Sequence, residues 1–444
     1  MNKRNHLLAT LAVAPATAFL IAMAAPAAYA QAPAQAPAAA ALPKACTGGT
    51  GCPGSSCQLS ITPSSALLPT AACPGGGGEN QDAVDVFSWN EFVALNWPAM
   101  AGCVADPAKS ILKIDSKNQG PVVWQTQASA DDVFVAPGKT PSPWCGGAQV
   151  QALFAGKPHV MGHASKGPLL AHPLLGFTFG SGPTDIKAVG GVVTDPSGRW
   201  LRYERLMDQT EYKAIVGKKW YRASVLANLQ TITLPTGSLE LKSAWKILTP
   251  AEISGGRYYT TTAIVYNNAK GDKSPGPNPV TLGLVGLHII QKTPQQQGFF
   301  WSTFEHVDND AVFANPGSKE PVNKQTANEP YTELDPKTGK PLNPPIPMKR
   351  VTPLPVDPAL NTYYQKLLAG SVFANYRLIS TQWGVGVNPF GKPKNVANLV
   401  IETFVQSVKT PAGGEGCLAC HLNATANNKI KTVTDHSFLF LEAK

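Results

Sequence analysis

Five residues near the carboxyl end, Cys417-Leu418-Ala419-Cys420-His421, constrain this chain more than any other feature. Cysteines at C-x-x-C followed directly by histidine have the attachment spacing of a c-type haem. Each thiol forms a thioether to one haem vinyl group, and the adjacent imidazole is then held against the iron as an axial ligand. Cys417 and Cys420 are therefore expected to bind one covalent haem c, with His421 as its proximal ligand. The competing account is a disulfide that happens to precede a surface histidine. Position matters as much as spacing, because the chain ends at Lys444, 23 residues after His421. So short a tail cannot wrap a porphyrin, so its apolar faces must be covered by upstream chain. The motif predicts a haem-binding segment over residues 411–444, packed on a large domain over residues 85–410.

Haem attachment of this type requires export, and the first thirty residues fit an export signal. Lys3 and Arg4 form a basic start, Leu7 to Ala25 an apolar core, and Ala28-Tyr29-Ala30 a small-residue cleavage pattern. Pro15 interrupts the apolar run, which argues for removal after Ala30 rather than retention as a membrane anchor. The expected location is the periplasm, and no later stretch is apolar for long enough to span a bilayer. The formal charge of +9 loses Lys3 and Arg4 with this segment, which carries no acid, leaving +7. Without a Lys/Arg cluster that mild excess does not suit nucleic acid. It favours a redox partner protein or a small-molecule substrate, and Lys392, Lys394, Lys429 and Lys431 could form a basic rim for an acidic partner.

Six cysteines lie outside the motif: Cys46, Cys52, Cys57, Cys73, Cys103 and Cys145. An even set in an exported chain reads as three disulfides, and sequence alone does not assign the pairs. Crowding of the first four in a Gly/Pro/Ser-rich stretch suggests two local staples there. Cys103 with Cys145 is then the third expected bridge.

Residues 31–84 read as an Ala/Pro linker followed by this stapled, Gly-rich segment. Trp89, Phe92, Val93 and Trp97 recur at helical spacing over Val86 to Trp97, and Pro98 ends the run. From Trp200 the pattern changes to short, turn-bounded runs expected to be strands: Trp200–Leu206, Ser238–Ile247, Tyr258–Tyr266, Leu282–Gln291 and Phe299–Val307. The last two should form a hairpin. Helical stretches are expected over Glu211–Val216 and Trp220–Gln230, which makes the class α+β, strand-rich and mostly antiparallel. Asp308 to Pro358 is a Pro-rich excursion without periodicity. Ala359–Ala369 reads as a helix closed by Gly370, and Asn395–Val408 as the last apolar-periodic segment.

Three blocks, Phe87-Ser88-Trp89-Asn90-Glu91-Phe92-Val93-Ala94-Leu95-Asn96-Trp97-Pro98, Gly286-Leu287-His288-Ile289 and Trp301-Ser302-Thr303-Phe304-Glu305-His306-Val307-Asp308-Asn309, resemble a group of bacterial exported proteins. That group carries a single C-terminal c-type haem motif and is described as cytochrome c family proteins. The resemblance runs from about Asp85 to Lys444 and implies haem and export, without an activity.

The sixth iron position separates two functions, since a second protein ligand suits electron transfer while an open face permits oxygen or peroxide chemistry. Candidates are Met348, His306, His436, His288 and the group His159, Met161 and His163. His306 shares a strand face with Phe304 and lies in a resembling block, so it is the preferred distal or catalytic residue. His436 is close to His421 along the chain. His159 and His163 would bind a second metal only if helical, and Pro158 and Gly162 argue for a loop. No phosphate-cradling loop, dinucleotide-binding turn, nucleophile elbow or H-E-x-x-H helix is present. The reading is a periplasmic mono-haem c-type protein in electron transfer, or alternatively a haem-dependent oxidoreductase, peroxidase- or oxygenase-like, with an open distal face.

Overall fold

The computed structural model describes residues 61–70, 81–161, 192–195, 197–265, 272–276, 278–294, 298–309, 332–334, 354–385, 388–393, 398–401, 417–422, 424–426 and 430–444. The expected export signal over residues 1–30 and Cys46, Cys52, Cys57 and Cys73 lie outside these residues.

A long helix, α1 (Gln81–Leu95), is buried at every position from Ala83 onward. It starts ahead of the expected Val86 and ends before Trp97, where Asn96 and Trp97 hydrogen-bond back to Phe92 and Ala94. A helix enclosed on all sides cannot have a polar stripe, so its polar residues must find partners. Ser88 bonds Ser302, Gln81 and the Thr381 amide bond the Asp85 carboxyl, and Ser302 donates to Glu91.

One sheet of nine strands organises the molecule. Its strands are β1 (Ala128–Ser129), β2 (His159–Met161), β3 (Arg202–Met207), β4 (Leu239–Ile247), β5 (Thr260–Val265), β6 (Pro279–Lys292), β7 (Phe299–His306), β8 (Tyr376–Val385) and β9 (Asn388–Lys392). The main path runs β9-β8-β7-β6-β4-β3-β1 and is antiparallel throughout. The fourteen residues of β6 let β5 and β7 share one of its edges, and β2 joins β5 in parallel. The α+β, strand-rich class is as expected. So are the five strands between Trp200 and Val307 and the β6–β7 hairpin, which pairs Phe299 with Lys292.

Helix α1 covers one face of the sheet together with α4 (Pro358–Leu367); the other face carries α2 (Gln209–Gly217), α3 (Ala223–Leu226) and α5 (Cys417–His421). On the first face Phe92 stacks on Phe304 at 4.4 Å, and Trp89 lies flat on Tyr364 at 5.0 Å. On the second, Ile215, Trp220 and Leu226 pack with Ile290, Phe299, Trp301, Leu418 and Phe440.

Two expectations need correction, and one strand was not expected. The helix over Trp220–Gln230 shrinks to Ala223–Leu226, because Lys219 takes a left-handed φ of 58° and turns Trp220 and Tyr221 inward before a helix can restart. Strand β8 carries no period-2 signal because its residues from 376 to 383 are buried on both faces, polar ones included. The Pro-rich excursion contributes a short strand, Thr332–Leu334, paired with Val192–Thr194.

Cys103 and Cys145 are joined by a disulfide closing a separation of 42 residues. A loop of that length constrains the unfolded chain by roughly 4 kcal/mol on the chain-entropy account. Cys103→Ser is expected to lower unfolding free energy by an amount of that order, measured by urea titration under non-reducing conditions.

Candidate cofactor site

Helix α5 brings the motif together by simple periodicity. Positions 417, 420 and 421 are three and four residues apart, so one helical turn puts them on a common face. Gln382 on β8 seats that turn by accepting the Leu418 amide at 2.6 Å. Trp301 on β7 is the register partner of Gln382 and shares its face. Cys417 is buried, with Leu418, in the core under this face of the sheet.

His421 is oriented by three groups. Its Nδ1 lies 2.7 Å from the carbonyl oxygen of His436. A carbonyl only accepts, so Nδ1 carries the proton and the neutral ring has its lone pair on Nε2, the nitrogen that would ligate iron. Trp301 stands edge-on to the ring at 4.1 Å, and Phe438 does so at 4.5 Å. The His436 carbonyl reaches Nδ1 because Asp435 and His436 both adopt left-handed backbone, with φ of 50° and 70°. Two such non-glycine residues in succession cost energy, which the surrounding packing must offset. His436 itself is pinned beneath the β6–β7 hairpin, its Nε2 3.5 Å from where a Cβ on Gly298 would sit.

These residues fit a covalent haem. The buried Cys417, the helical 417/420/421 face, an imidazole with Nδ1 engaged from behind and the apolar wall of Leu418, Trp301 and Phe299 are the donor set and lining such a group needs. The buried Trp301 Nε1 also lacks a hydrogen-bond partner.

The structure places the other candidates as follows. His306 lies five residues beyond Trp301 along β7, about 17 Å at ~3.4 Å per residue, so the fold does not bring it to the motif. Both its nitrogens are engaged: Nε2 donates to the Arg257 carbonyl at 3.2 Å and Nδ1 accepts the Asp308 amide at 3.1 Å. Its ring stacks on Tyr258 at 4.0 Å, and burial pushes its pKa down to about 4. His306 is thus a neutral latch at the end of β7. His306→Ala is expected to cost roughly 2–4 kcal/mol of stability through the lost packing and hydrogen bonds. The absorption spectrum of haem-loaded protein should not change, and a shifted spectrum would return His306 to the iron.

His436 sits behind His421, on the Nδ1 side, opposite to where iron would lie; its backbone supports the proximal ligand. His288 is fully buried on the face that holds Trp301, 6.0 Å from the indole, with Nδ1 3.1 Å from the Thr303 hydroxyl. His159 occupies strand β2 rather than a loop, its Nε2 3.8 Å from Glu204, while Met161 packs into the core. His163 and Met348 lie outside the described residues, as do Lys394 and Lys429; Lys431 is exposed. Among the described residues no group of three His, Cys, Asp or Glu is arranged to hold a metal ion, and no helix is long and apolar enough to cross a membrane.

Trp301 and Gln382 are the site residues that sequence reading left unassigned. Trp301 opens a block quoted for its resemblance, which was its only signal; Gln382 had none. No protein-family model, curated protein or solved structure matches this chain.

Proposed function

We propose that this chain is a periplasmic mono-haem c-type cytochrome that transfers electrons through a haem attached at Cys417 and Cys420. The observation that carries the proposal is the His436 carbonyl on His421 Nδ1, which orients the imidazole and raises its basicity as metal-bound histidines require. Haem supplies a one-electron couple at iron. The chain supplies orientation through Trp301, Phe438 and Gln382, and an apolar wall that excludes water and sets the local dielectric.

The test is direct. Mature protein made in a host able to form thioethers should carry the mass of one haem and show the absorption of a reduced c-type haem under denaturing conditions. Colourless protein at the mass of the bare polypeptide overturns the reading.

A second reading, a haem-dependent oxidoreductase with an open distal face, draws support from His306, whose two ring nitrogens are bonded elsewhere, and from His436, whose backbone lies on the Nδ1 side of His421. Carbon monoxide added to the ferrous protein separates the two: rapid binding at neutral pH favours the oxidoreductase, and no binding favours the carrier.

A further inference from the structure

Glu211 and Glu240 are buried, and neither is used by the site as described so far. Their meeting is built into the fold. Asp208, the N-cap of α2, accepts the Glu211 amide at 3.0 Å and the Leu239 amide at 3.1 Å on the same carboxylate oxygen, Oδ1. One atom therefore ties the first turn of α2 to the start of β4 and brings Glu211 against Glu240. The two carboxyls interact at close range, and both Glu211 oxygens are buried without a hydrogen-bond donor. Two ionised carboxylates side by side repel and only accept, so a buried pair that no donor reaches at Glu211 is accommodated by a proton on one of them. Among the described residues no group of three His, Cys, Asp or Glu is arranged to hold a metal ion, at this pair or elsewhere.

The pair also lies next to the candidate iron ligand. Glu240 is the register partner of Ile290, and Ile290 of Trp301, so all three share the face on which Trp301 meets His421. Two strand spacings of ~4.8 Å put Glu240 about 10 Å from Trp301 across the sheet. A shorter connection runs through the backbone, since Glu240 hydrogen-bonds the side chain of Ser437, and the peptide preceding Ser437 carries the His436 carbonyl that holds His421.

We propose that Glu211 and Glu240 form a proton-binding site whose occupancy is coupled to the charge on iron at His421. This rests on the haem reading above and adds proton coupling to it. As one electron arrives from an external reduced donor, such as a small electron-carrier protein, ferric iron becomes ferrous and the pair takes one proton from water. The singly protonated pair becomes doubly protonated; one carboxyl O–H bond forms as one O–H bond of hydronium breaks, releasing water. The same proton returns to water on reoxidation. The sign follows from electrostatics, because the extra positive charge of ferric iron favours the ionised pair and its loss favours the protonated one.

The charged groups facing the pair are Asp208 from the start of α2, Asp435 from the C-terminal loop and Lys292 from β6. Lys292 is held by Asp435 at 2.5 Å, and Arg205, on the same sheet face, is held by Glu442 at 2.6 Å. His436 stands next to Asp435. Burial raises both carboxyls and the proximity of other acids adds to it, so the pair is poised to gain a proton rather than lose one.

The experiment is a spectroelectrochemical titration of the full-length haem-loaded protein from about pH 5 to 8, on the wild type, Glu211→Gln and Glu240→Gln, after haem content has been measured. Over its steepest range the wild-type midpoint should fall by up to about 59 mV, the one-proton limit, for each tenfold drop in proton concentration. Either glutamine, which donates its own N–H to the remaining carboxyl, should abolish the dependence. Reduced-minus-oxidised infrared spectra of the wild type give a second measurement that needs no variant: reduction should add a protonated-carboxyl C=O band. Haem present with a pH-independent midpoint, a slope unchanged in both variants, or no carboxyl band overturns this inference and leaves the function standing. Protein without haem overturns both.

Discussion

Replacing Cys417 and Cys420 together by alanine is expected to leave no haem on the polypeptide after denaturation and acid extraction, whereas the wild type keeps it. In the proposed reading thioethers to these two sulfurs would be the only covalent link, and Cys417 meets the core beside Leu418, where alanine keeps the Cβ and removes one sulfur. The fold should therefore survive, with a stability change of about 1–2 kcal/mol. Far-ultraviolet circular dichroism checks that point independently of colour. His421→Ala makes the complementary case: attachment and added mass persist, while the spectrum moves because the proximal nitrogen and its link to the His436 carbonyl are gone. Covalent haem in the double variant, or an unaltered spectrum in His421→Ala, would refute the assignment.

The second large effect is on stability as a function of pH. Asp85, inside α1, accepts hydrogen bonds from Gln81 and the Thr381 amide, yet burial outweighs them and pushes its carboxyl up to about 7 from 3.8. A folded-state pKa above the unfolded value means that the native state binds the extra proton. Its contribution is complete below pH ~4 and is lost as pH rises through ~7, roughly 4 kcal/mol in all. Glu91, Glu211 and Glu240 are raised by burial and act in the same direction. His306 acts the opposite way: its pKa falls from 6.5 to about 4, so its contribution is complete above pH ~6.5 and is lost on acidification towards 4. The carboxyls outnumber it. Unfolding free energy from urea titrations should therefore decline between about pH 5 and 8, and Asp85→Asn, which keeps the acceptor oxygen, should flatten the curve. A wild-type curve that climbs across that interval would refute this account.

Much of the architecture was legible because its signals are local. The strands from Trp200 to Val307 are short apolar runs bounded by turn residues, and the β6–β7 hairpin follows from a seven-residue connection of suitable composition. Helix α1 announces itself through Trp89, Phe92 and Val93 at helical spacing. Strand β8 does not, because Thr381 and Gln382 are buried against Asp85, Ser88 and the Leu418 amide, and period-2 patterning exists only where one face is wet. The pairing of Cys103 with Cys145 was reached from crowding among the other cysteines, a statement about chain distance that the fold satisfies.

The site divides along the same line. C-x-x-C-H is a spacing, and spacing is a property of the chain: it singled out Cys417, Cys420 and His421 together, and the fold added the helical turn that they share. What backs His421 is a peptide carbonyl, a group every residue possesses, and it reaches Nδ1 only because Asp435 and His436 turn left-handed beneath the hairpin. The separation of His306 from that centre, and the meeting of Glu211 with Glu240 on one oxygen of Asp208, arise from strand register and a helix cap linking residues about thirty positions apart. Chemistry carried by neighbours in the chain could be read directly; chemistry that depends on which distant atoms are driven together by burial had to wait for the folded molecule.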